Sequence, residues 1–378
     1  MKKISLLLCL ALFLSLFSPA LAEDTIKIGG ITSLTGDLAQ YGLAIREGFD
    51  LYVEEINAKG GVLGKQVEVL WEDAKGDISD ATNAYNKLAY QDLVVGVVGV
   101  ATSKPTIAVA ELASGDGMPM ITASATALEV TEGKPNVFRA CFLDDFQAKT
   151  MANYAKDALN IKKVAVIYDN GDDYSLGLAE NFKKQAEAIG LEVVAYESGA
   201  SADVDFKAQL TNIKGVDPEA LFLAYYYTAA SNIMKQSVEV GLKDIYLLSA
   251  DCMNGIETMF PDDTFNDLLS KLYYTDHFAA DADTPEVKAF SEAFHAKYGK
   301  EPRNAFNATG YDAAMILLGA MEKAGKTDFA DVVDAMKNTD MQGVTGRITF
   351  DENNNPIKSA FIMTIENGKE VFRAVQEP

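Results

Sequence analysis

Histidine and cysteine are scarce in this sequence, which limits the chemistry that the protein can perform. Among its 378 residues there are two histidines, His277 and His295, and three cysteines. Neither histidine has a second histidine or a cysteine at ligand spacing, so we expect no zinc site and predict a surface or structural role for both. The sequence has no G-x-S-x-G elbow, no Walker loop and no G-x-G-x-x-G after its first strand. It therefore predicts no catalytic residue, no cofactor and no metal.

One acidic segment resembles a calcium loop in composition only. The run Asp169-Asn170-Gly171-Asp172-Asp173 carries three carboxylates in five residues. It lacks the spacing of an EF-hand and its distal glutamate. We interpret segment 169–173 as a solvated loop.

Positive charge is in deficit throughout the chain. Lysine and arginine number 33 against 55 aspartates and glutamates, which gives a formal net charge of −22 at pH 7. A chain this acidic is repelled by nucleic acid and by anionic lipid headgroups, so neither is an expected partner. After residue 22 no apolar run is long enough to cross a membrane.

The first 22 residues have the pattern of a cleaved signal peptide. Two lysines precede the apolar run Ile4–Phe17, and Ala20-Leu21-Ala22 forms a small-x-small cleavage site. Cys9 raises the alternative of a lipoprotein signal, but it lies near the start of the run, where a lipidated cysteine is not expected. We predict soluble export, with the mature protein beginning at Glu23.

Two cysteines, Cys141 and Cys252, remain after cleavage. They could form one disulfide in an oxidising compartment, but they lie in segments that the pattern assigns to separate parts of the fold. The sequence favours two buried thiols.

Strands and helices alternate along the chain. Apolar strands separated by amphipathic helices are typical of a parallel sheet covered on both faces. The pattern restarts near residue 163, which predicts an α/β fold of two doubly wound, Rossmann-like lobes joined by Asn136–Asp145, followed by a final β region with turns near Gly343, Gly346 and Asn367-Gly368. The predicted strands are Ile26–Ile31, Val67–Glu72, Leu93–Val100, Pro119–Thr122, Val164–Tyr168, Leu191–Tyr196, Ala220–Tyr225 and Ile245–Ser249. The predicted helices cover 39–56, 79–90, 105–113, 174–189, 206–213, 231–240, 285–298, 311–323 and 329–337.

Small polar residues follow several of the predicted strands. Ser103 follows the third strand, Ser124 and Thr126 follow the fourth, and Asp251 follows Ile245–Ser249. In open α/β sheets, ligands bind outside the carboxyl ends of the strands. Each residue taken alone also fits a helix cap. Together they offer hydroxyls for an anion and one carboxylate for a cation.

The order of these motifs resembles the leucine/isoleucine/valine-binding proteins of ABC importers, which are type I periplasmic binding proteins. The resemblance covers nearly the whole mature chain. It is carried by Gly29-Gly30-Ile31-Thr32-Ser33-Leu34-Thr35-Gly36, Ala39-Gln40-Tyr41-Gly42, Ile56-Asn57-Ala58-Lys59-Gly60-Gly61-Val62-Leu63-Gly64, Ala101-Thr102-Ser103, Met120-Ile121-Thr122-Ala123-Ser124-Ala125-Thr126, Tyr311-Asp312-Ala313 and Gly343-Val344-Thr345-Gly346-Arg347-Ile348-Thr349-Phe350-Asp351.

The resemblance implies two lobes joined by a hinge of three chain crossings. Residues 23–143 and 277–347 would form lobe 1, and residues 144–276 and 348–378 would form lobe 2. An α-amino acid would be held between the closing lobes of a monomer and passed to the permease subunits of an ABC transporter.

The resemblance also implies individual contacts to the ligand. Ser103 and Thr126 would hold the ligand carboxylate with hydroxyl and backbone N–H groups. The Ser124 carbonyl, the Thr126 hydroxyl and Asp251 would hold its ammonium. The expected flanking residues are Tyr41, Tyr174, Tyr227 and Phe306.

Three departures from the family pattern bear on the ligand. Asp251 stands where relatives commonly carry glutamate, Ser124 replaces the more usual alanine, and the run Tyr225-Tyr226-Tyr227 is unusually aromatic. We expect leucine, isoleucine or valine, with another apolar or aromatic amino acid as the next choice. The alternative functions are a ligand-sensing subunit for a small amide or another amino acid, and an α/β enzyme acting in the same cleft.

Overall fold

A computed structural model of the protein describes residues 25–377. The predicted signal peptide, Met1–Ala22, lies outside the described residues. The strands are β1 (Ile26–Thr32), β2 (Val67–Asp73), β3 (Val97–Gly99), β4 (Met120–Thr122), β5 (Val137–Arg139), β6 (Lys163–Asp169), β7 (Glu192–Gly199), β8 (Ala220–Ala224), β9 (Tyr246–Ser249), β10 (Leu272–Asp276), β11 (Asp340–Gly343), β12 (Gly346–Thr349), β13 (Ala360–Glu366) and β14 (Lys369–Gln376). The helices are α1 (Ala39–Ala58), α2 (Ile78–Lys87), α3 (Ser103–Asp116), α4 (Asp144–Asp157), α5 (Asp173–Ile189), α6 (Lys207–Gly215), α7 (Tyr227–Val240), α8 (Asn266–Leu269), α9 (Pro285–Tyr298), α10 (Ala305–Ala324) and α11 (Phe329–Lys337).

Two sheets with the same strand order form the two lobes. The first sheet is wholly parallel, in the order β2-β1-β3-β4-β5. The second contains the parallel order β7-β6-β8-β9-β10, to which β13 and β14 add antiparallel strands at one edge. In both sheets the order reverses beside the first strand, which opens a crevice at the carboxyl ends of the strands. The predicted doubly wound lobes are confirmed.

The chain passes between the two lobes three times. It leaves the first sheet after β5 and builds the second sheet up to β10. Helix α10 then returns to pack on α1 of the first lobe, and β13 and β14 complete the second sheet. The last two strands meet at Asn367-Gly368, where both residues have positive φ, 52° and 72°, as a tight hairpin turn requires.

Helices α1 and α10 pack backbone to backbone. A Cβ placed on Gly48 would lie 1.8 Å from the carbonyl oxygen of Asn307, and one on Gly310 would lie 2.5 Å from that of Ile45. Only glycine permits this approach. The contact attaches the C-terminal helices to the first lobe.

The segment predicted as a simple connection between the lobes, Asn136–Asp145, is in fact structured. It contains strand β5 and the first residues of α4. The buried face of α4 consists of small or polar residues apart from Met151. Its apolar period consists of three alanines and Met151, which is a weak signal, and the helix was not predicted.

Three predicted elements start four or more residues from their observed start. Helix α7 begins at Tyr227 instead of residue 231, and the other two differ for local reasons. Strand β3 covers only Val97–Gly99 because Leu93, at the end of a π-helical turn, adopts a left-handed φ of 57° and is 69% exposed. Helix α10 begins at Ala305, six residues before the predicted Tyr311. Asn304 and Asn307 form a capping box that fixes this earlier start.

Candidate functional site

A small cavity lies between the lobes at the carboxyl ends of both parallel sheets. Its volume is about 10 Å³, which is room for roughly one water molecule. It is lined by Tyr41, Ala101, Thr102, Ser103, Ser124, Tyr174, Tyr226, Asp251, Cys252 and Phe306. Six of the predicted site residues therefore meet at one place: Tyr41, Ser103, Ser124, Tyr174, Asp251 and Phe306.

The other two predicted residues, Thr126 and Tyr227, lie beside the cavity without lining it. The Thr126 hydroxyl is buried and lies beside the Asp144 carboxyl. The Tyr227 hydroxyl instead donates to the backbone oxygen of Asp37, on the opposite lobe. Tyr226, the preceding residue, occupies the cavity wall in its place.

The first lobe presents the N-terminus of α3 to the cavity. Thr102 is the residue that precedes the helix, in extended conformation, and Ser103 is its first helical residue. The Ser103 hydroxyl oxygen accepts from Ala127 N at 3.3 Å, and the Ser124 hydroxyl donates to Ala101 O at 2.7 Å. A helix N-terminus with free backbone N–H groups is suited to a carboxylate.

The second lobe presents the carboxylate of Asp251, which is only 2% exposed. Its Oδ1 accepts from the Tyr174 hydroxyl at 2.8 Å and from Gln147 Nε2 at 3.1 Å. His277 Nε2 lies 3.1 Å from Oδ2. These three partners leave Oδ2 able to accept one further hydrogen bond. The Asp251 side chain accepts no hydrogen bond from the backbone of the 3₁₀ turn that begins at this residue. Asp251 is therefore not a helix cap.

The charge of Asp251 is not balanced by a basic side chain. Within residues 25–377 its one ion-pair candidate is His277, whose pKa is lowered by burial, so the imidazole is a neutral donor. A buried carboxylate without a counter-ion is costly. A cation bound in the cavity would supply the missing charge.

A second acid lies close to Asp251. Gln147 Nε2 donates both to Asp251 and to Oδ1 of Asp144, the latter at 2.8 Å. Burial and the charge of Asp251 raise the pKa of Asp144 to about 8. Its Oδ2 atom is buried, and the nearby Thr126 hydroxyl favours the charged form of the carboxyl. Burial beside Asp251 therefore favours the neutral, protonated form of Asp144.

Sequence reasoning missed Asp144, Gln147 and Tyr226, and it gave His277 no part in the site. Asp144 and Gln147 lie at the start of α4, which was not predicted. His277 is wholly buried, whereas His295 is exposed and contacts Glu301, as predicted for a surface role. The signal that could have found His277 is its place directly after the strand that ends at Asp276.

The acidic segment 169–173 is less solvated than predicted. Asp169 is 6% exposed and accepts from Gly171 N and Ser201 N. Asp172 accepts from Ser175 N and so caps α5. No group of three or more acidic, histidine or cysteine residues in the described part of the chain is placed to hold a metal ion. The segment is a helix-capping loop.

Aromatic rings enclose the rest of the cavity. The Tyr41 ring meets Tyr227 and Phe306 edge to face, at 5.0 Å in both cases. Tyr174 and Tyr226 stack with centroids 5.1 Å apart and planes 13° apart. These walls are apolar faces with polar edges, suited to a small ligand with an apolar part.

Cys141 and Cys252 are both buried as separate thiols. Cys141 Sγ donates to Ala125 O, and Cys252 Sγ lies 3.3 Å from the Ser249 hydroxyl. Burial raises the pKa of each thiol to about 12. Neither has the character of a nucleophile.

Comparison with known proteins identifies the family. A family model described as periplasmic binding protein matches residues 25–370. The chain belongs to the periplasmic binding protein family. A leucine-, isoleucine-, valine-, threonine- and alanine-binding protein of Pseudomonas aeruginosa is 32% identical over 337 residues, covering 89% of this chain and 88% of the relative. A Leu/Ile/Val-binding protein of Rhizobium johnstonii is 32% identical over 349 residues, covering 91% and 92%.

Solved structures of periplasmic binding proteins share the two-lobe fold. The leucine-binding protein LivK of Thermotoga maritima has a TM-score of 0.87 and 33% identity, covering 93% of this chain and 99% of that one. The branched-chain amino acid transporter substrate-binding protein LivJ of Streptococcus pneumoniae, in complex with isoleucine, has a TM-score of 0.86 and 37% identity over the same shares. The predicted fold class and family resemblance are confirmed. Across residues 25–377 we find no helix with the length and apolar character of a membrane span.

Proposed function

We propose that this protein captures an aliphatic α-amino acid between its two lobes in the periplasm and delivers it to the permease of an ABC transporter. It acts as a monomer without altering its ligand, after removal of Met1–Ala22. Relatives that cover most of the chain are named for binding leucine, isoleucine and valine, which supports this ligand class.

The observation that carries the proposal is the pairing of Asp251 on one lobe with the N-terminus of α3 on the other. A zwitterion that leaves water needs charge-assisted hydrogen bonds for both of its charges. Asp251 offers one acceptor position and an unbalanced negative charge to the ammonium. The N–H groups and hydroxyls around Ser103 and Thr126 suit the carboxylate, and they avoid the desolvation cost of a buried arginine.

We further propose that lobe 1 comprises 23–143 and 277–347 and that lobe 2 comprises 144–276 and 348–378. Contacts across the cleft support closure as a rigid-body motion of these units. The Tyr41 hydroxyl donates to Cys252 O, Gln40 Nε2 to the Thr258 hydroxyl, and Lys104 Nζ to Gly171 O. Small-angle scattering should give a smaller radius of gyration with ligand than without, and equal radii would contradict closure.

The ligand class is tested by thermal shift with the 20 amino acids and common small amides, followed by calorimetric titration. We expect leucine, isoleucine or valine to raise the melting temperature and to bind one to one. Mass spectrometry should recover the bound amino acid unchanged, because the relatives are named for binding amino acids. Turnover of the ligand would favour the enzyme alternative, and binding of an amide alone would favour the sensing subunit.

A further inference from the structure

The three consecutive tyrosines 225–227 point in three different directions. Tyr225 lies in the core of lobe 2, where its hydroxyl donates to Tyr168 O at 2.6 Å. Tyr227 reaches across the cleft to Asp37 O. Tyr226, the last residue before α7, alone lines the cavity. One of the three is therefore placed to contact the side chain of a ligand.

The Tyr226 hydroxyl is buried and has no hydrogen-bond partner. Its ring is fixed by stacking on Tyr174 and by an edge contact with Tyr41 at 6.1 Å. Burial and the charge of Asp172 raise its pKa well above the ordinary value. The group is therefore a neutral phenol that can donate one hydrogen bond and accept another. A buried polar atom left unpaired in the closed protein is unfavourable, and a polar group on the ligand removes that cost.

We propose that Tyr226 determines ligand specificity: its hydroxyl at the cavity wall favours a ligand side chain that carries a hydroxyl over the apolar isostere. The inference rests on the proposed function, since it concerns which α-amino acid the same cleft prefers. Threonine and valine are the decisive pair because they have nearly the same shape and differ in one hydroxyl. Serine and alanine are a second pair that differs by a hydroxyl.

Polar and apolar pockets differ in how strongly they discriminate between two ligands that differ by one hydroxyl. An apolar pocket discriminates weakly between a methyl and a hydroxyl of equal size. A wall with an unpaired hydroxyl disfavours the apolar ligand, because closure then buries the hydroxyl without a partner. We expect threonine to bind about 5- to 100-fold more tightly than valine.

Calorimetric titration of the mature protein with threonine, valine, serine and alanine tests the proposal. Tyr226→Phe keeps the ring and removes the hydroxyl, so the threonine-to-valine preference should fall to within about 3-fold. Tyr225→Phe is the matched control, because its hydroxyl bonds inside lobe 2, and it should leave the preference unchanged. If Tyr226→Phe fails to fold, the affinity ratios of threonine to valine and of serine to alanine in the unaltered protein still test the proposal.

Valine binding as tightly as threonine in the unaltered protein would overturn the proposal, and so would a preference that survives Tyr226→Phe. Binding of leucine with neither threonine nor valine would also overturn it, yet would leave the proposed function standing. Failure of every amino acid to bind would instead refute the proposed function, together with the inference that rests on it.

Discussion

The Nε2 atom of His277 lies 3.1 Å from Oδ2 of Asp251, and both side chains are buried. Because burial lowers the pKa of His277, the imidazole orients the carboxylate without neutralising it. Tyr174 and Gln147 add two further neutral donors on Oδ1. The arrangement fixes the position of the Asp251 carboxylate at the cavity wall.

Asp251→Ala should cost more affinity than any other single change among the polar residues of the site. Removing one partner of a buried charge pair typically costs about 2–5 kcal/mol, or roughly 30- to 4,000-fold in dissociation constant. Ser103→Ala should cost less, about 1.5–3 kcal/mol, because backbone N–H groups still hold the carboxylate. Calorimetric titration beside a melting curve separates binding from folding. Normal affinity in Asp251→Ala would show that the ammonium is held elsewhere.

Asp144→Asn should change the pH dependence of stability. In the native protein the carboxyl keeps its proton up to about pH 8, whereas in the unfolded chain it releases it near pH 4. The native state binds more protons between these values, so this group lowers the free energy of unfolding as pH rises. The free energy of unfolding of Asp144→Asn, minus that of the unaltered protein, should therefore be larger at pH 8 than at pH 5, by up to about 4 kcal/mol.

Urea unfolding of both proteins at the two pH values measures this effect. Asp172 and Glu257, whose pKa values burial raises to about 6 and about 7, titrate in the same range. They are present in both proteins, so the difference between variant and unaltered protein isolates Asp144. A variant whose stability follows pH in parallel with the unaltered protein would exclude a raised pKa at this residue.

The fold was largely predictable because its signals are local. Apolar periodicity identified the helices with strongly apolar faces. Helices α5 and α7 end at residues 189 and 240, as predicted, and each is followed by a glycine with positive φ, Gly190 or Gly241. The apolar face of helix α4 is mostly alanine, and Gln147 and Thr150 are buried beside it. Its burial depends on packing against α5 and against strands β9, β10 and β13 of the second sheet, which a local pattern does not contain.

The site was predictable in part for the same reason. The positions of Ser103 and Asp251 follow from the rule that ligands bind at the carboxyl ends of parallel strands. The contact between Gln147 and Asp251 joins residues 104 positions apart and depends on how α4 packs. The sequence predicted Tyr227 at the cavity wall, but the structure places Tyr226 there. Which of the two side chains faces the cavity depends on the residue at which α7 begins.

The two thiols should be unreactive in the native protein at pH 8. Cys141 and Cys252 are almost fully buried, and burial raises the pKa of both to about 12, so little thiolate forms. Ellman titration should find two free thiols only after denaturation without reductant. Recovery of none, with a bridge mapped between the two residues, would contradict the separate thiols of this structure.

The close packing of α1 on α10 predicts opposite effects for two glycines of the same helix. In Gly310→Ala the new Cβ would lie 2.5 Å from the backbone oxygen of Ile45, so the helices must separate, at a cost of about 1–3 kcal/mol or more. Gly319 is the matched control, because a Cβ there meets no atom within 4 Å and its φ is helical. Gly319→Ala should stabilise the protein by about 0.4–1 kcal/mol, because alanine lowers the conformational entropy of the unfolded chain and has a higher helix propensity than glycine. Urea unfolding of both variants measures the contrast, and equal stabilities would mean that the two helices do not approach as closely as Gly310 allows.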